Sequence, residues 1–165
     1  MDQLERRLFL LQYLIKENPA FGDLDIPKDF DAQRKLLRAL LNLREAGPVS
    51  EEFLQVQDEY LVRETQAKGI TRLEEIDPIA PGFYLWQGDI TTLACDAIVN
   101  AANSEMTGCY EPNHGCIDNA IHTYAGVELR NLCAEIMAAQ GHLEPTGQAK
   151  ITPGFNLPAK YILHT

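Results

Sequence analysis

Ala97-Ile-Val-Asn100, Gly108-Cys-Tyr-Glu-Pro-Asn-His-Gly-Cys116 and Ile117 through Gln140 run in order as an apolar stretch, a loop and a long periodic segment. The first is short and rich in β-branched residues, which predicts a buried strand. The last places Ile117, Ile121, Tyr124, Leu129, Leu132, Ile136 and Met137 in a helical pattern, with Gly126 as a point of interruption. Phe83-Tyr-Leu-Trp-Gln87 upstream reads as another buried strand, and Lys150-Ile-Thr152 and Tyr161-Ile-Leu-His164 downstream as two more. Strands alternating with a long helix predict a layered α/β domain with at least partly parallel pairing.

The first half of the chain reads as helical. Leu4, Leu8, Leu11 and Ile15 recur at helical spacing behind Asp2, a cap with Glu5 three residues later. A second helix is expected from near Asp29 or Asp31 to the stop at Gly47-Pro48. A third follows Ser50 and ends at Gly69. Their apolar stripes predict packing against one another and against the next domain, so that residues 1–78 form a helical extension covering one face of the sheet built by 79–165.

The 165 residues carry 14 Lys+Arg against 24 Asp+Glu, a net charge of −10, with 45% apolar residues. That composition is globular rather than disordered, and its acidity argues against duplex nucleic acid or an anionic membrane as partner. No apolar run reaches membrane-spanning length. Arg6-Arg7 followed by Leu8 to Ile15 stands behind acidic residues and before no cleavage site, so it reads as an amphipathic helix rather than a leader. A chain of this size with Cys95, Cys109, Cys116 and Cys133 is expected to be cytoplasmic with reduced thiols. Residues 1–80 hold 11 basic and 16 acidic side chains, whereas 81–165 hold 3 and 8. Between Pro81 and Leu129 there is no Lys or Arg, so an anion bound there must rely on backbone amides, a helix dipole and a metal.

Cys109, His114 and Cys116 supply two sulfurs and an imidazole within one Pro/Asn/Gly loop. Zinc favours such a set, and three protein ligands leave a fourth position for water or substrate. The same residues could instead be two buried thiols beside a loop histidine, a Cys109–Cys116 disulfide, or part of a four-ligand structural site completed by Cys95 or Cys133. Asp118 stands at the first turn of the predicted helix. There it suits the helix dipole, or could orient or deprotonate water beside a bound phosphate. His122, one turn on, could face the same site, although a core or helix-surface histidine is the commoner arrangement. His142 reads as a solvated loop residue.

Gln87-Gly-Asp-Ile-Thr91, Asp96-Ala-Ile-Val-Asn-Ala-Ala-Asn103, Gly115-Cys-Ile-Asp-Asn-Ala-Ile-His122, Thr146-Gly-Gln-Ala-Lys-Ile-Thr152 and Tyr161-Ile-Leu-His-Thr165 together strongly resemble the macrodomain family of ADP-ribose-binding proteins. The Cys/His loop and the helical extension look like the zinc-dependent microbial macrodomains that hydrolyse protein-linked ADP-ribose. The resemblance implies a three-layer α/β/α macrodomain with a mixed sheet, truncated after the strand ending His164-Thr165. The family continues there into further strands and a second phosphate loop, so this length alone is expected to be an inactive or weakly binding fragment. It implies Zn2+ on Cys109, His114 and Cys116. It also implies adenine recognition by Asp89 and Ile90, and backbone amides of Gly115, Cys116 and Ile117 at the pyrophosphate. Asn103 would lie at the distal ribose, with Asp118 as the catalytic carboxylate. Asn100 and Ala101 are expected to be structural. The implied activity is removal of mono-ADP-ribose from acidic side chains of proteins, with a sirtuin-type transferase and lipoyl-carrier system as associated partners. A non-catalytic ADP-ribose-binding module with structural zinc, and an ADP-ribose 1″-phosphate phosphatase, are the alternatives.

Overall fold

The computed structural model describes residues Met1–Thr165. Asp2 opens α1 (Gln3–Glu17) with the expected capping box. Its carboxylate accepts from the Glu5 amide at 2.8 Å, and the Glu5 carboxylate accepts from the Asp2 amide at 2.7 Å. Asp29 caps α2 (Phe30–Leu43) through the Ala32 amide, and Ser50 caps α3 (Glu51–Lys68) through the Phe53 amide. Four short strands follow: β1 (Thr71–Arg72), β2 (Pro78–Ala80), β3 (Phe83–Tyr84) and β4 (Leu93–Ala94). The chain then runs through β5 (Ala97–Asn100), α4 (Ile117–Ala125), α5 (Val127–Gln140), β6 (Lys150–Pro153) and β7 (Tyr161–His164). No helix is long and apolar enough to cross a membrane.

The central sheet is mixed, in the order β5-β7-β6, with β5 parallel and β6 antiparallel to β7. Strand alternation sorts its faces. Ile98, Asn100, Thr152, Ile162 and His164 are buried on the helix side, while Val99, Ile151 and Tyr161 are exposed on the other. The helix expected over Ile117–Gln140 is two helices. They break at Gly126, whose φ is +100° and where a Cβ would meet Gln57 Nε2 at 2.7 Å. The strand expected to be buried at Phe83–Gln87 is a correction: only Phe83–Tyr84 is extended, Phe83 is 67% exposed and Leu85 76%. It pairs with β2 instead of joining the central sheet, so no helical layer covers it.

The helical extension has its own core, built from residues such as Leu10, Leu11, Leu37, Leu40, Phe53 and Leu61. Ile98, Ile121, Leu129, Leu157 and Ile162 form a second core between α4, α5 and the sheet. Only Val127 crosses into the first. The extension therefore does not lay its stripes over the sheet, as the periodicity suggested. It docks chiefly on α4 and on the 3-10 turn Ile90–Thr92.

That joint is polar. Gln57 accepts from the Val127 amide at 2.9 Å and donates to Glu128 at 2.8 Å, and Asn156 donates to Asp58 at 2.8 Å. Buried Arg130 on α5 donates to the carbonyls of Leu41 and Asn42 at 3.1 and 2.9 Å and to that of Arg44, closing the C-terminus of α2.

Two buried histidines lie where the helices meet the sheet. His164 is satisfied: Nδ1 accepts from Asn100 Nδ2 at 3.2 Å, so Nε2–H donates to Thr152 Oγ1 at 2.9 Å. Neither ring nitrogen of His122 has a partner; Asp118 Oδ1, at 3.6 Å, is too far. Burial pushes the pKa of His122 down to about 3 and that of His164 to about 4, so both are neutral at pH 7.

Two outcomes follow from these contacts. Arg130→Met leaves several carbonyls without a donor and should cost about 3 kcal/mol, read as a lower thermal midpoint; an unchanged midpoint would contradict the role given to this guanidinium. Unfolding frees both histidines to take a proton near the ordinary value of 6.5, which the folded state refuses. Their contribution is intact above pH 6.5 and is lost as pH falls, down to about 4 for His164 and about 3 for His122. In denaturation curves at pH 7, 6 and 5, His122→Phe should flatten that decline by roughly 1.4 kcal/mol per pH unit at most; a decline as steep as the parent's would show that this ring does not drive it.

Candidate functional site

The site grows out of the carboxyl ends of β5 and β7. The Ala102 amide donates to the Thr165 carbonyl and the Thr165 amide to that of Asn100, both at 3.0 Å. Asn103 starts the loop: Oδ1 accepts from the Glu105 amide at 3.0 Å, and Nδ2 donates to the Gly108 carbonyl at 3.1 Å. Gly108 has φ +87°, and a Cβ there would stand 2.7 Å from the His122 ring, so the backbone passes directly over that ring. Arg130 Nε donates to the Thr107 carbonyl at 2.8 Å, and its guanidinium lies 4.2 Å from the centroid of the Tyr110 ring. Asn113, in the left-handed region at φ +56°, then turns the chain to the exposed tip at His114 and Gly115.

This path brings the donor atoms of Cys109, His114 and Cys116 within 4.8 Å of one another, with Cys109 Sγ 3.6 Å from His114 Nδ1. Tetrahedral zinc, with Zn–S of about 2.3 Å and Zn–N of about 2.0 Å, sets sulfur and nitrogen about 3.5 Å apart, so the trio suits that ion. The four cysteines are free thiols. Cys95 points its thiol at the Ala97 carbonyl, and Cys133 lies with His122 and His164, so neither completes the trio. That second cluster reads as polar core, because both His164 nitrogens already have partners. Burial pushes the Cys116 thiol up and the adjacent Cys109 adds to it. A bound cation would relieve this by favouring both thiolates.

Cys116 is also the N-cap of α4, its sulfur accepting from the Asn119 amide at 3.3 Å. The first-turn amides of Ile117 and Asp118 have no partner within the helix, which leaves an anion-binding end facing the same loop. Asp118 is buried beneath that turn, and Oδ1 accepts from Asn100 Nδ2 at 2.8 Å. Burial pushes its carboxyl up, opposed in part by the Asn100 bond and the Arg130 charge. On the far side, Asp89 caps the 3-10 turn. Oδ1 accepts from the Thr91 amide and hydroxyl at 2.9 and 2.6 Å, and Oδ2 from Lys68 Nζ at 2.9 Å. Burial raises the Asp89 carboxyl, but the Thr91 and Lys68 bonds outweigh it and leave it below the usual range. Lys68 also sits 3.2 Å from the centroid of the Tyr124 ring.

The predicted residues thus gather at three places: Gly115, Cys116 and Ile117 with the Cys/His trio at the start of α4, Asn103 at the loop's origin, and Asp89 and Ile90 beside the end of α3. A cavity of about 550 Å3 lies at the sheet's carboxyl end, lined in part by Asn103, Met106, Glu144, Gly147 and Thr165. A larger one, about 590 Å3, lies between α2, α3 and α4; it is lined by Arg38 and by Asn113 of the loop but by none of the predicted ligand contacts. Sequence reasoning missed the grip of Asn100 on Asp118 and the part played by Asn119. Both residues stood inside the quoted motifs, which was the available signal. His142 is exposed, as expected.

Comparison with known proteins fits this geometry. The family model described as Macro domain matches residues 99–165. The chain is 57% identical over 169 residues to a protein-ADP-ribose hydrolase of Treponema medium, covering 100% of this chain and 65% of that protein. It is 49% identical over 170 residues to the protein-ADP-ribose hydrolase of Staphylococcus aureus (strain MSSA476), covering 100% of this chain and 64% of that one. The chain therefore spans somewhat less than two thirds of the length of these curated relatives. Among solved structures, the Trypanosoma brucei macrodomain in complex with ADP-ribose superposes with a TM-score of 0.52 at 27% identity, over 78% of this chain and 57% of that one. A second structure of the same macrodomain, in its crystal form 1, gives 0.52 at 28% identity, over 78% of this chain and 55% of that one. With its mixed sheet, its helices and the family's sequence on residues 99–165, the chain has the macrodomain fold.

Proposed function

We propose that the protein is a zinc-dependent hydrolase that removes mono-ADP-ribose from acidic side chains of modified proteins. The observation that carries this reading is the gathering of Cys109, His114 and Cys116 at the N-terminus of α4, with no fourth protein donor. The relatives named protein-ADP-ribose hydrolase support it, and so does the neighbour solved with ADP-ribose. The activity is proposed for the whole protein, of which this chain carries the residues discussed. Free thiols suit a reducing compartment, which we read as the cytoplasm.

Each step rests on a named group. Asp89, kept ionised by Lys68 and Thr91, retains lone pairs to accept the adenine amine, which discriminates against a base carrying a carbonyl there. The amides of Gly115, Cys116 and Ile117, with the α4 dipole, hold the pyrophosphate in a segment without Lys or Arg. Asn103 has one amide proton committed to Gly108 and a second for the distal ribose. Asp118, held by Asn100 and with its proton affinity raised by burial, orients or deprotonates the attacking water or a ribose hydroxyl. Zinc, when bound to the trio, supplies Lewis acidity beside the ester.

The test measures zinc by elemental analysis and ADP-ribose release from an aspartyl- or glutamyl-modified protein. Asp118→Ala should slow turnover by about 100-fold or more while leaving metal content at the parent's level. Cys109→Ala should lose zinc together with activity. A Cys109→Ala protein that binds ADP-ribose normally and releases it at the parent rate would remove the metal from the mechanism. Faster phosphate release from ADP-ribose 1″-phosphate than ADP-ribose release from protein would replace the proposed substrate class.

A further inference from the structure

The Cys/His loop has one backbone bond of its own, His114 to Glu111, and is otherwise held by side chains outside it. Arg38, on α2 of the helical extension, donates through Nε and Nη2 to Asn119 Oδ1 at 3.1 and 2.7 Å, and through Nη2 to the carbonyl of His114 at 3.0 Å. Asn119 passes this hold onward. Its side-chain amide donates to the Glu111 carbonyl at 2.9 Å, and its backbone amide donates to Cys116 Sγ. One turn along the same face of α2, Asn42 Oδ1 accepts from the Asn113 amide at 3.0 Å, and Nδ2 donates to Thr123 Oγ1 at 2.9 Å. Thr123 in turn donates to the Asn119 carbonyl at 2.7 Å. Segment 111–116, which carries two of the three side chains of the Cys/His trio, is thus tied from outside at Glu111, Asn113, His114 and Cys116 by contacts that lead to Arg38 or Asn42 directly or through Asn119, in addition to its own His114–Glu111 backbone bond at 3.2 Å.

We propose that the helical extension is a working part of the metal centre, with Arg38 as the positioning residue that sets His114 and Cys116 for the ion. It rests on the zinc reading above, and extends it to a residue outside the macrodomain sequence. The argument is one of order. An eight-residue loop containing Pro, Asn and Gly loses much conformational freedom when its donors converge. Groups that orient metal ligands from behind strengthen binding by holding that convergence in advance. A guanidinium suits the task because its planar fork reaches the Asn119 oxygen and the His114 carbonyl together, which an ammonium does not do with the same geometry.

The experiment titrates zinc into the full-length protein against a chromophoric chelator, and follows amide exchange of residues 109–119 without metal. Arg38→Ala should weaken zinc about tenfold to a hundredfold and speed exchange in the loop, with Arg38→Lys in between. Arg34→Ala, on the same helix as Arg38, breaks a pair with Glu64 of α3 but touches no loop residue, and should change neither readout. Should Arg38→Ala fail to fold, Arg38→Lys and Asn42→Ser carry the same expectation at smaller size. Parent-like zinc affinity and loop exchange in a folded Arg38 variant overturn the proposal. A parent protein that binds no zinc sinks the metal reading instead, and loop exchange in the variant still decides whether Arg38 positions the loop.

Discussion

A guanidinium taken out of water is costly unless its donors find acceptors, and Arg130 answers that cost through Nε and Nη1, which join three parts of the molecule. It donates to carbonyls at the end of α2 and to Thr107 at the start of the Cys/His loop, and it stacks on Tyr110 within that loop. The acceptors are main-chain groups that helix termination and loop geometry leave without partners. One side chain on α5 therefore ties the end of α2 and the start of the loop to the same helix. Its charge also reaches Asp118, where it partly offsets the effect of burial on that carboxyl.

The rest of the joint follows the same pattern. Two separate apolar cores supply the bulk of burial, and between them run amide, carboxylate and hydroxyl contacts: Gln57 with Val127 and Glu128, Asn156 with Asp58, Asn42 with Thr123. Apolar burial is nearly indifferent to orientation, whereas hydrogen bonds hold distance and angle. A joint made this way fixes the register of α2 against α4 closely enough for Arg38 to meet the loop. The same economy appears at Cys116, whose sulfur caps a helix and completes the trio of metal donors.

Much of the fold was legible in the chain. The caps at Asp2, Asp29 and Ser50, the strands at Ala97–Asn100 and Tyr161–His164, and the break at Gly126 are local rules, obeyed because each involves residues only a few positions apart. The strand at Phe83 was misjudged because apolar, β-favouring residues report a tendency to extend and say nothing about which partner they find. In the structure that partner is a three-residue strand, and the ring stays in solvent.

The sequence by itself determined the kinds of atom available: two sulfurs and an imidazole close along the chain, a carboxylate at a helix start, and a stretch without cations that leaves anions to the backbone. It also determined, through motif and periodicity, that these would stand at the end of a strand and the head of a helix. Tertiary structure decided which way each one faces. Asp118 turns to Asn100 across 18 positions of chain, Asp89 to Lys68 across 21, and Asn119 to Arg38 across 81. Such pairings depend on how α2, α3 and β5 are docked against the loop, and docking is a sum over many weak contacts that no local spacing records.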